Sequence, residues 1–375
     1  MRICFWGNVA SALSGNTPGG GELQIALIAK VLANKGHDVN IVDYTIECGY
    51  TTSDGIKIHP VQDWNKGFRI VRTITHRLPG LYKTLVSIEA DIYYCRIREF
   101  RHIIAYWAAR KVNAKFVIGL AHDLEILSFA DRCKYEYFTN IGNLWWFSNM
   151  VLSELLFQKL LRWSDLVLSQ HAGQKDILMK KGIQSIVFPN LIDLDEIPML
   201  TNPARKQFVY AGSIAKNKGV IELFHIIEST PDFYYNIIGQ PRDKTGRKYY
   251  EKLKSIPNVR LMGRMNHQDT LLQIMNSKAL ICTSPMEGFP NIFIEAWVCE
   301  TPVISLYVNP GDIFSNPSLG KFSYGSIEVF TDQMQRISEM SNFMHSAKLL
   351  AERTYGIGEY RNEEIERVFK SVLNN

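Results

Sequence analysis

Short apolar runs alternate with longer stretches of mixed polarity along almost the whole chain. Runs at residues 2–6, 116–120 and 279–282 have the length of buried strands and are followed by turns. The stretches between such runs carry apolar residues at helical spacing, as in the helix predicted to follow Glu22. Strands that alternate with helices in this way predict parallel, doubly wound α/β domains.

The length of the chain and one polar stretch predict two domains. The 375 residues are enough for two domains of ordinary size. Residues 193–206 are acidic, then contain proline, and show no periodicity, so we interpret them as a linker. We expect a first domain at 1–195 and a second at 205–355.

The composition is that of a globular protein, with 46% hydrophobic and 21% charged residues. No apolar run reaches the roughly 18–20 residues of a membrane span, and the N-terminus does not resemble a signal peptide. The six cysteines form no C-x-x-C pair, which favours free thiols in a reducing compartment. These patterns predict a cytoplasmic location.

The net charge of +5 is concentrated in one block of the first half. Residues 66–115 hold eleven basic and three acidic side chains, and residues 134–163 are rich in aromatic residues. Basic and aromatic residues together suit a peripheral surface on an anionic membrane. An ordinary core with arginines in solvent explains the same pattern, so both interpretations stay open. Nucleic acid is not expected as a partner, because the chain lacks any known nucleic-acid-binding module.

The most informative stretch is residues 279–299, which predicts a strand, a turn and a helix. Gly288 and Pro290 mark the turn, with Pro290 at the first helical position, and a helix N-terminus of this kind binds anions. Glu287 and Glu295 frame the turn, roughly 10–12 Å apart along the helix axis. That spacing suits a long ligand with hydroxyls at both ends and a diphosphate between them, such as a nucleotide sugar. A buried turn with one solvated and one structural glutamate is the alternative.

Polar residues at other strand ends predict further ligand contacts. The 19–21 glycine cluster precedes a predicted helix, where backbone N–H groups approach a phosphate or sugar. His122 follows a short strand, at the edge where open α/β sheets bind ligands. Lys216 and Lys218 lie before another helix and can reach a diphosphate. Asp43 ends a strand where a dinucleotide-binding domain holds its ribose, which keeps an NAD-dependent oxidoreductase open as an alternative.

The motif EGFPNIFIEA, with Thr301-Pro302-Val303-Ile304 after it, resembles the signature of retaining GT-B glycosyltransferases of family 4. The glycine cluster, the His122-Asp123 pair, the 188–193 stretch FPNLID and Lys218 occur in the same order as in that family. Two departures are Ser213, where an arginine is common, and Glu300, where glycine is common. The resemblance covers most of the chain.

The resemblance implies a GT-B fold of two Rossmann-like domains facing a central cleft. The first domain would bind the acceptor and the second the donor, and a C-terminal helix at about 358–375 would return to the first domain. The catalytic residues implied are His122, Glu287 and Lys218. The donor-binding positions implied are Gly20, Gly21, Gly212, Ser213, Lys216, Lys218, Gly239, Glu287, Gly288, Phe289, Pro290, Asn291 and Glu295.

The implied reaction is metal-independent transfer of a hexose from a nucleotide sugar, with retention of configuration and no cofactor. A UDP-sugar is favoured over GDP-mannose, and the acceptor expected is a lipid-linked saccharide of lipopolysaccharide or capsule assembly. Two alternatives stay open, namely a soluble small-molecule acceptor and a non-catalytic subunit that binds nucleotide sugar.

Overall fold

The chain folds into two compact units, Met1–Leu191 with Ile357–Asn375, and Ile192–Gly356. The structure is a computed structural model that describes residues 1–15, 19–127, 131–132, 144–199, 203–337 and 344–374, with the backbone alone at 144–150. The two units change over between residues 191 and 192, whereas the sequence placed the end of the first domain at 195. Among the described helices, none has both the length and the apolarity needed to cross a bilayer.

The first unit is built on a sheet of eight strands in the order β3-β4-β2-β1-β5-β6-β7-β8. The strands are β1 (Arg2–Trp6), β2 (Asp38–Asp43), β3 (Tyr50–Thr51), β4 (Lys57–Pro60), β5 (Ile92–Arg96), β6 (Lys115–Gly119), β7 (Leu166–Ser169) and β8 (Ser185–Val187). Only the β3–β4 pair is antiparallel among them. The strand order reverses between β1 and β5, and ligands of such sheets bind at the carboxyl ends of the strands at that point.

Helices cover both faces of this sheet, and β1 is buried on both sides. Ile3 and Phe5 join one apolar core, while Cys4 and Trp6 join the other. This alternation explains why the first strand is apolar at almost every position. The helices of the first part of this unit are α1 (Ala10–Leu13), α2 (Gly20–Asn34), α3 (Leu78–Ile88), α4 (His102–Lys111), α5 (Leu144–Trp163) and α6 (Ala172–Lys180).

The last helix of the chain belongs to the first unit, as the sequence predicted. It runs from Glu359 to Asn374, and Ile365 and Phe369 join the core that contains Phe5. The ring centroid of Phe369 lies 6.5 Å from that of Phe5. The apolar stripe of this helix is therefore what returns the chain to its first domain.

The second unit carries six parallel strands in the order β11-β10-β9-β12-β13-β14. The strands are β9 (Gln207–Ala211), β10 (Tyr235–Ile238), β11 (Val259–Gly263), β12 (Ser277–Cys282), β13 (Val303–Ser305) and β14 (Gly320–Phe322). The helices are α7 (Val220–Ser229), α8 (Lys244–Lys254), α9 (His267–Met275), α10 (Asn291–Val298), α11 (Ile327–Gln335) and α12 (Met344–Tyr355), and the last helix of the chain is α13 (Glu359–Asn374). The order reverses between β9 and β12, as in a Rossmann sheet, so both predicted doubly wound domains are confirmed.

The structure differs from the sequence predictions in two places. The strand β5 was not predicted, although all of its side chains are buried, including Arg96, which donates to the Asn190 side chain at 2.7 Å. The sequence of about 331–352 predicts a single helix, but α11 begins at Ile327, where Ser326 caps it, and ends at Gln335. Residues 338–343, within the predicted helix, lie outside the described residues.

Candidate functional site

Two loops meet at the point where the second sheet reverses its strand order. The loop after β9 ends at Gly219, and the loop after β12 begins at Thr283. Gly219 has a left-handed φ of 68°, and a Cβ there would lie 1.9 Å from the carbonyl oxygen of Thr283. The Thr283 hydroxyl in turn donates to the carbonyl of Lys218 at 3.1 Å. Only glycine fits this contact, which holds the two loops together.

Lys218 and Glu287, from these two loops, form an ion pair. Their side chains are 30% and 15% exposed, so the pair is shielded yet reachable from solvent. The sequence assigned Lys218 to a diphosphate and Glu287 to sugar hydroxyls. The structure brings both to one place, and the three N–H groups of a lysine allow it to bind the carboxylate and a phosphate together.

The rest of the β9 loop is held by the start of α8. Asp243 caps that helix, accepting from Gly246 N–H at 2.6 Å, and its second oxygen accepts from the backbone N–H of Lys216 at 2.9 Å. The Lys216 side chain is exposed. The carbonyl of Ser213 accepts from the hydroxyl of Tyr210 at 3.0 Å. The backbone of this loop is therefore fixed, while the amine of Lys216 faces solvent.

The predicted glycines Gly212 and Gly239 lie against each other at the ends of β9 and β10. Gly239 has a φ of 141°, and a Cβ on it would lie 1.8 Å from the carbonyl oxygen of Gly212. The backbone N–H of Gly212 donates to Ile238 at 3.0 Å. These glycines allow the carboxyl ends of β9 and β10 to approach each other closely.

Helix α10 begins at Asn291, so Pro290 is the residue before the first turn and not its first member as predicted. Its φ of −65° and ψ of 121° are extended, and its carbonyl accepts from Phe293 N–H at 3.1 Å. Gly288 is buried. The Phe289 side chain packs on Tyr355 in the core, with centroids 5.4 Å apart. Backbone groups of this turn, and not the phenyl ring, are what a phosphate would meet.

Glu295 is buried on α10 and lies beside a histidine that the sequence reading did not single out. Nε2 of His267 lies 3.4 Å from Glu295, and Nδ1 lies 3.2 Å from Glu196. These two carboxylates, Glu196 first, raise the pKa of His267 to about 10. His267 is therefore an imidazolium at neutral pH and fixes the Glu295 carboxylate. Its position at the start of a polar helix gave no signal in the sequence.

In the first unit, the predicted Gly20 and Gly21 lie in the first turn of α2, and not in the loop before it. A Cβ on Gly21 would lie 2.5 Å from the Ile97 side chain and 3.8 Å from Ala121. Ile97 follows β5 with a φ of 68°, a strained conformation for a β-branched residue. The helix start thus lies at the carboxyl ends of β5 and β6.

His122 lies next to this point and caps a short 3₁₀ helix, Asp123–Glu125. Its Nδ1 accepts from Leu124 N–H at 3.0 Å, so Nε2 carries the proton of the neutral ring. Glu125, which the sequence reading missed, is buried and accepts from the backbone N–H groups of Ala121 and Arg98 at 2.7 and 3.0 Å. His122 is thus oriented as a hydrogen-bond donor, which suits a phosphate or sugar oxygen.

Asp43 does not serve as a ribose ligand in this structure. It is fully buried, and one oxygen accepts from Val9 and Ala10 N–H groups, both at 2.8 Å. The other oxygen accepts from the Thr45 N–H at 2.7 Å and from its hydroxyl. Asp43 thus anchors α1, and the dinucleotide alternative loses the residue on which it rested.

The fold is that of GT-B glycosyltransferases. Sucrose-phosphate synthase from Thermosynechococcus elongatus aligns over 100% of this chain and 99% of its own, with 13% identity and a TM-score of 0.78. WaaG, a glycosyltransferase involved in lipopolysaccharide biosynthesis, aligns over 99% of each chain, with 14% identity and a TM-score of 0.70. A mutant of TarM from S. aureus, solved with fondaparinux, α-GlcNAc-glycerol and UDP, covers 80% of this chain and 59% of its own, with 16% identity and a TM-score of 0.61.

Residues 197–313 match the family model of glycosyl transferases group 1. The matched segment runs from within the linker through β9, both loops of the site and α10, so it contains Lys218, Glu287 and Glu295. This segment of the chain is therefore similar to the domain shared by glycosyl transferases group 1. A comparison with curated protein sequences gave no match.

Proposed function

We propose that the chain transfers a hexose from a nucleotide sugar to an acceptor hydroxyl with retention of configuration, as in family 4. One observation carries this proposal. The loops after β9 and β12 meet at the switch point of a Rossmann sheet and bring Lys218 against Glu287. A fixed cation beside a helix start suits a diphosphate, and a carboxylate in the same place suits sugar hydroxyls.

The donor occupies the second unit in this proposal. Lys218 and Lys216 bind the diphosphate together with backbone N–H groups at the start of α10, and they stabilise the charge that develops as it leaves. Glu287 accepts hydrogen bonds from the transferred sugar. Glu295, held by His267, accepts from the ribose. A UDP-sugar is favoured over GDP-mannose, and the complex of TarM with UDP supports that preference.

The first unit supplies the remaining candidates. His122 donates from Nε2 to an oxygen of the reacting sugar or of its phosphate, and the Gly20–Gly21 turn contacts a phosphate or the acceptor. No side chain is assigned as a base, because in a retaining reaction of this type the departing phosphate oxygen can take the acceptor proton. The acceptor proposed is a lipid-linked saccharide, and the lipopolysaccharide role of WaaG supports it.

The test is calorimetric titration with UDP-glucose, UDP-N-acetylglucosamine, GDP-mannose and NAD, using wild type and two variants. Glu295→Gln removes a charged hydrogen-bond acceptor, so we expect about 10- to 100-fold weaker binding of the preferred nucleotide sugar. The matched control is Glu251→Gln, an exposed glutamate of the same unit that pairs only with Lys254 among the described residues. The control binds as wild type does.

Binding of NAD alone, or equal affinity in Glu295→Gln and the control, would overturn the donor assignment. Retention is tested separately by NMR of the glycosidic product. A product whose anomeric configuration differs from that of the donor sugar would rule out the retaining mechanism.

A further inference from the structure

The segment 68–77, just before helix α3, exposes an unusual concentration of large apolar side chains. Phe68 is 86% exposed, Ile70 95%, Val71 47% and Ile74 74%. Single exposed apolar residues are ordinary on protein surfaces, but four within seven positions form a patch that marks an interaction site.

The segment is helical, so these side chains share one face. The carbonyl of Phe68 accepts from Val71 N–H at 3.1 Å and from Arg72 N–H at 2.8 Å. A π-helical turn, Thr73–Arg77, then continues into α3.

Two polar side chains at the end of this segment, His76 and Arg77, face the protein. Arg77 donates from Nε to the carbonyl of Trp64 at 2.9 Å, and its guanidinium lies 4.9 Å from the centre of the Trp64 ring. His76 lies against Gly67, where a Cβ would come within 2.6 Å of the imidazole. A surface helix ordinarily turns its apolar side inward, so this segment has the opposite polarity.

Charge identifies the kind of partner. Between Asp63 and Glu89 the sequence holds no acidic residue, but it holds five basic ones, which are Lys66, Arg69, Arg72, Arg77 and Lys83. A second copy of the chain would bring the same positive patch against itself across a two-fold axis, which like-charge repulsion disfavours. An anionic surface that also accepts apolar groups complements both the positive charge and the exposed apolar side chains of this segment.

We propose that the 68–77 segment docks the chain on an anionic lipid bilayer. Phe68, Ile70 and Ile74 enter the boundary between headgroups and acyl chains, while Arg69 and Arg72 bind lipid phosphates. This inference concerns the first unit and does not depend on the donor assignments in the second. It narrows the interfacial surface expected from the sequence to one segment of ten residues.

The test is sedimentation of the full chain with vesicles of equimolar phosphatidylcholine and phosphatidylglycerol, and with vesicles of phosphatidylcholine alone. We expect binding to the anionic vesicles only, weakened by salt. The double variant Ile70→Ser, Ile74→Ser should bind at least about tenfold more weakly. The double variant Arg69→Gln, Arg72→Gln should also bind the anionic vesicles more weakly than wild type. The matched control is Met179→Ser, which changes an exposed apolar residue beside Lys180 and Lys181. This variant should bind the anionic vesicles as wild type does.

Circular dichroism and urea unfolding of each variant show whether the first unit, in which these positions lie, is still folded. Phe68→Ser provides an independent apolar variant should the double variant not fold. The proposal is wrong if wild type binds both kinds of vesicle equally or neither, or if the serine variants bind as well as Met179→Ser. It is also wrong if analytical ultracentrifugation shows that the serine variants abolish self-association while vesicle binding persists.

Discussion

The protonated His267 between two carboxylates gives a stability change with a defined pH window. Its pKa is raised to about 10 from an ordinary 6.5, Glu196 being the larger cause and Glu295 the second. A raised pKa stabilises the fold fully below pH 6.5, and this contribution is lost as the pH rises through 10. Wild type should therefore lose stability between these two values beyond what other groups cause.

The size of this stabilisation follows from the pKa shift of His267 and from the exposure of the paired side chains. A shift from 6.5 to about 10 corresponds to an upper limit of about 5 kcal/mol, at about 1.4 kcal/mol per pKa unit. The His267 side chain is 33% exposed and that of Glu196 is 42% exposed, so water screens much of the attraction between the two charges. We expect a contribution of about 2 kcal/mol at pH 6, because partly exposed ion pairs are weak.

The assay is urea unfolding of wild type and His267→Gln at several pH values from 6 to 10. The variant should be less stable than wild type at pH 6, and the two curves should converge by pH 10. The matched control is His225→Gln, which removes an exposed histidine 3.4 Å from Glu228 on α7 of the same unit. If His267→Gln shows the same pH dependence as the control, His267 does not hold the charge assigned to it.

Three further changes test other parts of the architecture. Gly219→Ala places a methyl group 1.9 Å from the Thr283 carbonyl oxygen, so we expect the free energy of unfolding to fall by about 3 kcal/mol or more in urea. An unchanged urea midpoint would contradict the close contact. Lys218→Met should weaken nucleoside diphosphate binding at least about tenfold in calorimetry, with a smaller salt dependence than in wild type; equal affinity would exclude the phosphate role. Asp43→Ala should destabilise by about 3 kcal/mol by leaving the N–H groups of α1 without a partner, and wild-type stability would refute that anchor.

The sequence was informative where local chemistry decides the structure. The apolar runs located β1, β6 and β12, because a strand buried on both faces leaves little choice of residue. The strand β5 was missed because its apolar run, Ile92–Cys95, is short and ends at Arg96, whose burial depends on the distant Asn190. Likewise, the α2 helix starts at Gly20, which the low helix propensity of glycine disfavours.

The candidate site was predictable in its members and not in their pairing. Lys218 and Glu287 were each assigned from a local motif, but their ion pair depends on strand order, which no local pattern encodes. His267 was missed for the same reason, because its role arises only from the packing of α9 beside α10 and the linker residue Glu196. Residues 133–143, which contribute to the predicted aromatic surface, lie outside the described residues.

The close contact at Gly219 explains why the lysine and the glutamate act as one unit. Its missing side chain lets the β9 loop touch the backbone of the β12 loop, so the ammonium of Lys218 and the carboxylate of Glu287 are positioned by the sheet. In the proposed function, a donor phosphate would therefore meet a cation whose position is already fixed, and little ordering free energy would be spent on binding. The role proposed for the lysine would thus depend on a glycine that itself touches no substrate.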